Sequence, residues 1–123
     1  MPTVALIAHD GKKDDMAIFV ARHAEELRGF DLVATGTTAS VIRKAAPTLS
    51  VRAVNSGPRG GDVQIAAEVL SGEVHAVFFF VEPMESHPHD PDIKTLERIC
   101  TLQDVPLALN FATASMVVRA LRG

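Results

Sequence analysis

The chain of 123 residues carries one cysteine, Cys100, so no intramolecular disulfide can brace it and packing must hold the fold. Its longest apolar run, Ala76 to Val81, falls far short of the roughly 20 residues needed to cross a bilayer. Basic charge is not in excess: 12 Lys and Arg stand against 15 Asp and Glu, a net charge of −3. That balance argues against a sequence-independent grip on nucleic acid or an acidic membrane surface, though local donors still allow a small anion. Neither GxGxxG nor GxxxxGK[ST] occurs, which removes the dinucleotide fingerprint and the Walker loop. No fixed-period repeat, low-complexity linker or basic-then-apolar leader stands out, so the expected address is the cytoplasm.

With 47% hydrophobic and 22% charged residues, the composition is that of an ordinary globular protein, and the length suits one domain over residues 1–123. Five β-rich apolar runs recur: Thr3–Ala8, Phe30–Thr35, Ser50–Asn55, His75–Val81 and Pro106–Asn110. Between and after them lie helical patterns at Asp14–Arg28, Thr38–Ala46, Asp62–Ser71, Pro91–Gln103 and Ala112–Leu121. In the first of these, Met16, Phe19, Val20, His23 and Leu27 share one helix face, which predicts packing on a sheet. Asp14 and Asp62 suit N-caps or first-turn acids, and Gly29 and Gly72 suit helix stops. The strands read as near-continuous apolar runs, as expected when helices cover both faces of a parallel sheet. The predicted fold is a doubly wound, flavodoxin-like three-layer α/β sandwich on a five-stranded parallel sheet.

In such sheets ligands bind outside the carboxyl ends of the strands. The polar residues collect there: His9-Asp10-Gly11-Lys12-Lys13, Thr35-Gly36-Thr37-Thr38, Ser56-Gly57-Pro58-Arg59-Gly60-Gly61-Asp62, Glu82-Pro83 with His87-Pro88-His89-Asp90-Pro91-Asp92, and Asn110. The threonine segment joins a strand end to a helix start, where hydroxyls and unpaired amides can converge on an anion; the plain alternative is an N-cap with a turn glycine. In the glycine-rich segment Asp62 reads either as a cap or as a base beside a bound anion, with Gly57, Gly60 and Gly61 opening backbone amides to the ligand. Lys13 can neutralise phosphate as a point charge, while Lys12 reads as solvated. His87, His89, Asp90 and Asp92 have the composition of a metal cluster, but Pro88 and Pro91 stiffen an extended loop and no cysteine lies near, so no metal is assigned. His23 and His75 read as packing or surface residues, and Cys100 as a small buried hydrophobe.

Taken in order, Ala8-His9-Asp10 with Lys13, Ala34-Thr35-Gly36-Thr37-Thr38, Ser56-Gly57-Pro58-Arg59-Gly60-Gly61-Asp62 and Pro88-His89-Asp90-Pro91-Asp92 resemble the methylglyoxal synthase family, from about Val4 to Thr113. The resemblance implies a cytoplasmic carbon–oxygen lyase that converts dihydroxyacetone phosphate into methylglyoxal and inorganic phosphate by way of an enediol phosphate. It further implies a homohexamer with allosteric control, a glycolytic bypass as the metabolic setting, and neither metal nor organic cofactor. By position, His9, Lys13, Thr35, Gly36, Thr37, Thr38, Ser56, Gly57 and His89 match substrate contacts. Asp62 matches the catalytic acid/base, and Asp10, His89 and Asp92 match further catalytic residues. The chain departs from the family pattern at Glu82, where aspartate is usual, at Val63, where glutamine is common, and at Leu109, where threonine is common. A non-catalytic module that binds a phosphorylated effector, similar to the one ending carbamoyl-phosphate synthetase large chains, is the alternative on the same fold. A phosphosugar isomerase is a weaker one. The presence of Asp62, His89 and Asp92 together favours the enzyme.

Overall fold

Apolar residues at every position of a strand require cover on both sides, and the two faces of this sheet each have their own helices. A computed structural model describes residues 1–84 and 93–122. Five strands, β1 (Thr3–Ala8), β2 (Asp31–Ala34), β3 (Val51–Ala53), β4 (Ala76–Phe80) and β5 (Leu107–Ala108), pair in parallel in the order β3-β2-β1-β4-β5. The helices are α1 (Lys13–Arg22), α2 (Ala24–Leu27), α3 (Gly36–Ala45), α4 (Gly61–Leu70), α5 (Ile93–Gln103) and α6 (Phe111–Arg122). Short 3-10 turns at Asp10–Lys12 and Gly57–Arg59 lead into α1 and α4.

Side chains alternate across the pleat, so one strand feeds two cores. On one face Val4, Leu6, Phe78 and Phe80 pack with Met16 and Phe19 of α1, Ile42 of α3 and Val118 of α6. On the other, Ala5, Ile7, Val77 and Phe79 pack with Ile65 and Val69 of α4 and Leu96 and Cys100 of α5. The doubly wound sandwich is therefore the one expected. The chain runs outward from β1 through β2 to β3 and then returns to the far side of β1 as β4. This places the reversal of strand order, the usual ligand crevice, between the carboxyl ends of β1 and β4.

The anticipated helix face of Met16, Phe19, Val20, His23 and Leu27 is buried throughout. The single helix expected over Asp14–Arg28 is instead two, because the backbone leaves helical values at His23 (φ −104°, ψ 18°). The buried His23 ring explains the break. Its Nδ1 lies 3.0 Å from Glu26 Oε1, and its Nε2 lies 2.9 Å from Ser115 Oγ on α6. Asp14 and Asp62 prove to be first-turn acids rather than caps, and Gly72 takes the left-handed conformation (φ 83°) that favours glycine after a helix. Asn110 caps α6 by accepting the Thr113 amide hydrogen at 2.9 Å.

Candidate active site

The carboxyl end of β1 is the junction on which the site is assembled. Pairing with β2 ends at Leu6 opposite Ala34, so the next polar groups on that edge, those of Ala8, run past the end of the strand ladder. The Ala8 amide donates to Thr38 Oγ1 at 3.3 Å, and the Ala8 carbonyl accepts from Lys13 Nζ at 2.8 Å. One backbone residue thus fixes the start of α3 and the ammonium of α1 beside each other. Lys13 is also 3.0 Å from Asp10 Oδ1, and the Asp10 side chain is 78% exposed, so this pair lies at the solvent edge.

Thr35 and Thr38 are buried, and Thr35 Oγ1 donates to Thr38 Oγ1 at 3.1 Å. Thr35 is the N-cap of α3 by backbone conformation, but its hydroxyl makes no cap bond to the first turn. The structure thus divides the threonine segment. Thr38 fastens the helix to β1, Thr37 is exposed, and in the first turn of α3 the amides of Thr37 and Thr38 have no intrahelical partner by geometry, the arrangement with which a helix start can meet an anion.

The glycine-rich segment is laid directly against this turn. The Gly36 amide donates to the Asn55 carbonyl at 3.3 Å, and a Cβ at Gly36 would come within 3.3 Å of the Ser56 nitrogen. A Cβ at Gly61 would fall on the Asn55 carbonyl oxygen and within 3.0 Å of Thr35 Cγ2. Asp62, the next residue, is half-buried in the first turn of α4 on the same rim. Gly60 holds φ 87°, a left-handed value that turns the chain into α4. Not every glycine amide is open to a ligand as anticipated: those of Gly60 and Gly61 donate to the carbonyls of Gly57 and Ser56, each at 3.0 Å. Half-buried Ser56 and Gly57 remain beside the threonine turn.

Two residues that sequence reasoning passed over hold this segment in shape. Gln64 Oε1 accepts the Asn55 amide hydrogen at 2.7 Å, and Asn55 Nδ2 donates to the Arg59 carbonyl at 3.2 Å. The only signal for them was their place beside a turn dense in glycine. On the other flank of β1, His9 is buried; its amide donates to the Phe80 carbonyl and its Nδ1 accepts the Glu82 amide hydrogen, both at 3.0 Å. Lys12 is not simply solvated: its Nζ lies 3.5 Å from Asp15 Oδ2 and 4.0 Å from Glu82 Oε2. His87, His89, Asp90 and Asp92 lie outside the described residues. A cavity of about 350 Å³ opens nearby, lined by Lys12, Phe80, Val81, Leu109 and Phe111 among others, but it lies on the α1/α6 side, away from Asp62.

A family model described as an MGS-like domain matches residues 16–109. The methylglyoxal synthase of Brucella anthropi is 51% identical over 118 residues, which are 96% of this chain and 94% of that one. The chain belongs to the methylglyoxal synthase family. The Brucella ovis methylglyoxal synthase is 50% identical with the same coverage. The crystal structure of methylglyoxal synthase from Elizabethkingia anophelis NUHP1 superimposes with a TM-score of 0.91 at 41% identity, covering 95% of this chain and 76% of that chain. The family's five-stranded parallel architecture is therefore present here, and the residues aligned by resemblance at His9, Lys13, Thr35–Thr38, Ser56, Gly57 and Asp62 sit on one rim of it.

Proposed function

We propose that this rim binds dihydroxyacetone phosphate and that the protein eliminates its phosphate to leave methylglyoxal. The observation that carries the reading is the contact between the Thr35–Thr38 turn and the Ser56–Asp62 segment, with Lys13 tied to the same end of β1. Hydroxyl, amide and ammonium donors on one side of a half-buried carboxylate are what an anionic substrate with an acidic C–H requires.

In this scheme Asp62 removes a proton from the hydroxymethyl carbon, and the electron pair of that C–H bond makes the enediolate. The hydroxyl proton on that carbon passes to the former carbonyl oxygen, and the oxygen it leaves forms a new C=O bond as the C=C bond shifts to the phosphate-bearing carbon and the C–O bond to phosphate breaks, so that inorganic phosphate leaves with the bonding pair. The enol of methylglyoxal that remains gains a proton at carbon and becomes the dicarbonyl. Elimination requires the breaking C–O bond to stand roughly perpendicular to the enediolate plane, and the cradle of Thr35, Gly36, Thr37, Thr38, Ser56 and Gly57 is assigned to hold it there. Lys13 offsets charge on the leaving group, with Asp10 setting its position through their ion pair. His9 donates to the carbonyl oxygen. His89 and Asp92 are assigned to proton movement between the oxygens on the strength of the family resemblance, which also supports a homohexamer in the cytoplasm. Inorganic phosphate, which the same cradle would admit, is the proposed regulator.

Incubation of the purified protein with dihydroxyacetone phosphate tests the reading. Equimolar inorganic phosphate and dicarbonyl are expected. Binding without product would assign the protein to the effector-binding alternative, and glyceraldehyde 3-phosphate as product would make it an isomerase. Light scattering during size-exclusion chromatography checks the six-subunit assembly.

A further inference from the structure

A backbone N–H can only donate a hydrogen bond, and this decides the state of one ring in the site. Because the Glu82 amide lies 3.0 Å from His9 Nδ1, that nitrogen presents its lone pair and the ring hydrogen sits on Nε2. The ring is held from other sides as well. It stands edge-on to Phe79, with centroids 5.1 Å apart at 86°, and its residue's amide is bound to the Phe80 carbonyl.

The turn that follows this amide is held by the Glu82 side chain. Glu82 Oε1 accepts the Met84 amide hydrogen at 3.0 Å, closing a turn two residues ahead. Glu82 Oε2 lies 4.0 Å from Lys12 Nζ, and the Lys12 amide donates to the His9 carbonyl at 2.8 Å. The side chain passes over Gly11, where an added Cβ would come within 3.3 Å of Glu82 Cγ.

We infer that Glu82 is a positioning residue: its carboxylate closes the turn onto Met84, which aims the Glu82 amide at His9 Nδ1 and holds His9 as the Nε2–H tautomer. This rests on the reading of the site given above and adds to it a residue that exchanges no proton with the substrate. What residue 82 must supply is an oxygen acceptor. A carboxamide meets that need, and so does a carboxylate one methylene shorter, since aspartate side chains commonly accept from the amide two residues on.

Nitrogen-15 NMR of histidine-labelled protein distinguishes the two tautomers, with the His9 signals identified by their loss in His9→Asn. Wild type, Glu82→Gln and Glu82→Asp should show the Nε2–H form of His9 and turnover within about threefold of one another. Glu82→Met, which keeps the bulk without an acceptor, and Glu82→Ala should show tautomer averaging at His9 and a kcat lower by about tenfold or more, with KM moving less. The inference is overturned if the Met variant slows while its His9 spectrum stays that of wild type, or if Glu82→Gln is as slow as Glu82→Met; the carboxylate would then act as a charge or an acid. A wild-type protein that shows the fixed tautomer yet yields no dicarbonyl overturns the reaction itself, and with it the catalytic meaning of His9.

Discussion

At the scale of single residues, Asp62 and Gly61 are adjacent in sequence and do different work. Asparagine at position 62 keeps the volume and the half-buried setting but removes the base. Asp62→Asn should lower turnover by about 10²–10⁴-fold while inorganic phosphate still binds, as measured by dicarbonyl release and by calorimetric titration with phosphate. Gly61 is needed for closeness, because a Cβ there would fall on the Asn55 carbonyl, a backbone atom with no freedom to swing aside. Gly61→Ala should cost about 1–3 kcal/mol in denaturant melts and separate the two halves of the cradle. Gly36→Ala, whose Cβ would stop 3.3 Å from the Ser56 nitrogen, should be milder.

At the scale of elements, the packing of α1, α2 and α6 depends on a buried polar contact inside an apolar face. His23 bridges Glu26 and Ser115, while Phe19 meets Phe78, Phe80 and Phe111 edge-on beside it. Deleting the serine hydroxyl leaves a ring nitrogen buried without that partner, and such a group costs about 1–3 kcal/mol. Ser115→Ala should therefore lower the melting temperature without changing the site, which differential scanning calorimetry alongside an activity assay would show. An unchanged melting temperature would mean that the His23 contact contributes nothing net. On the opposite edge Arg52 of β3 pairs with Glu68 of α4 through its two terminal guanidinium nitrogens, and this pairing pushes the guanidinium further above its already high range. Arg52 is exposed and Glu68 half-buried, so the pair is screened on one side and orients α4 on the sheet more than it stabilises the protein.

At the scale of the whole molecule, Cys100 reports on the integrity of the second core. Burial pushes its thiol up to about 11, so it stays protonated in the folded chain across the physiological range. The unfolded thiol ionises nearer 9. Between those two values the unfolded state sheds a proton that the folded state retains, so stability should be fully present below pH 9 and decline as pH rises toward 11. Thiol alkylation at pH 8 should accordingly be slow in the native protein and fast in denaturant. The alternation of strand and helix, the apolar strands covered on both faces, the buried stripe from Met16 to Leu27 and the gathering of His9, Thr35–Thr38, Ser56 and Asp62 on one rim all follow from local periodicity and chain order, which the amino-acid sequence carries by itself. Hydrogen-bond partners do not follow from them. That His23 interrupts a helix to reach Ser115, 92 residues away, that Thr38 spends its hydroxyl on Ala8, that Gly60 and Gly61 turn their amides inward, and that Glu82 addresses His9 were decided only when distant segments met. The reason is physical: side-chain period is set by neighbours along the chain, whereas a polar group near a core must bond whatever tertiary packing brings within about 3 Å.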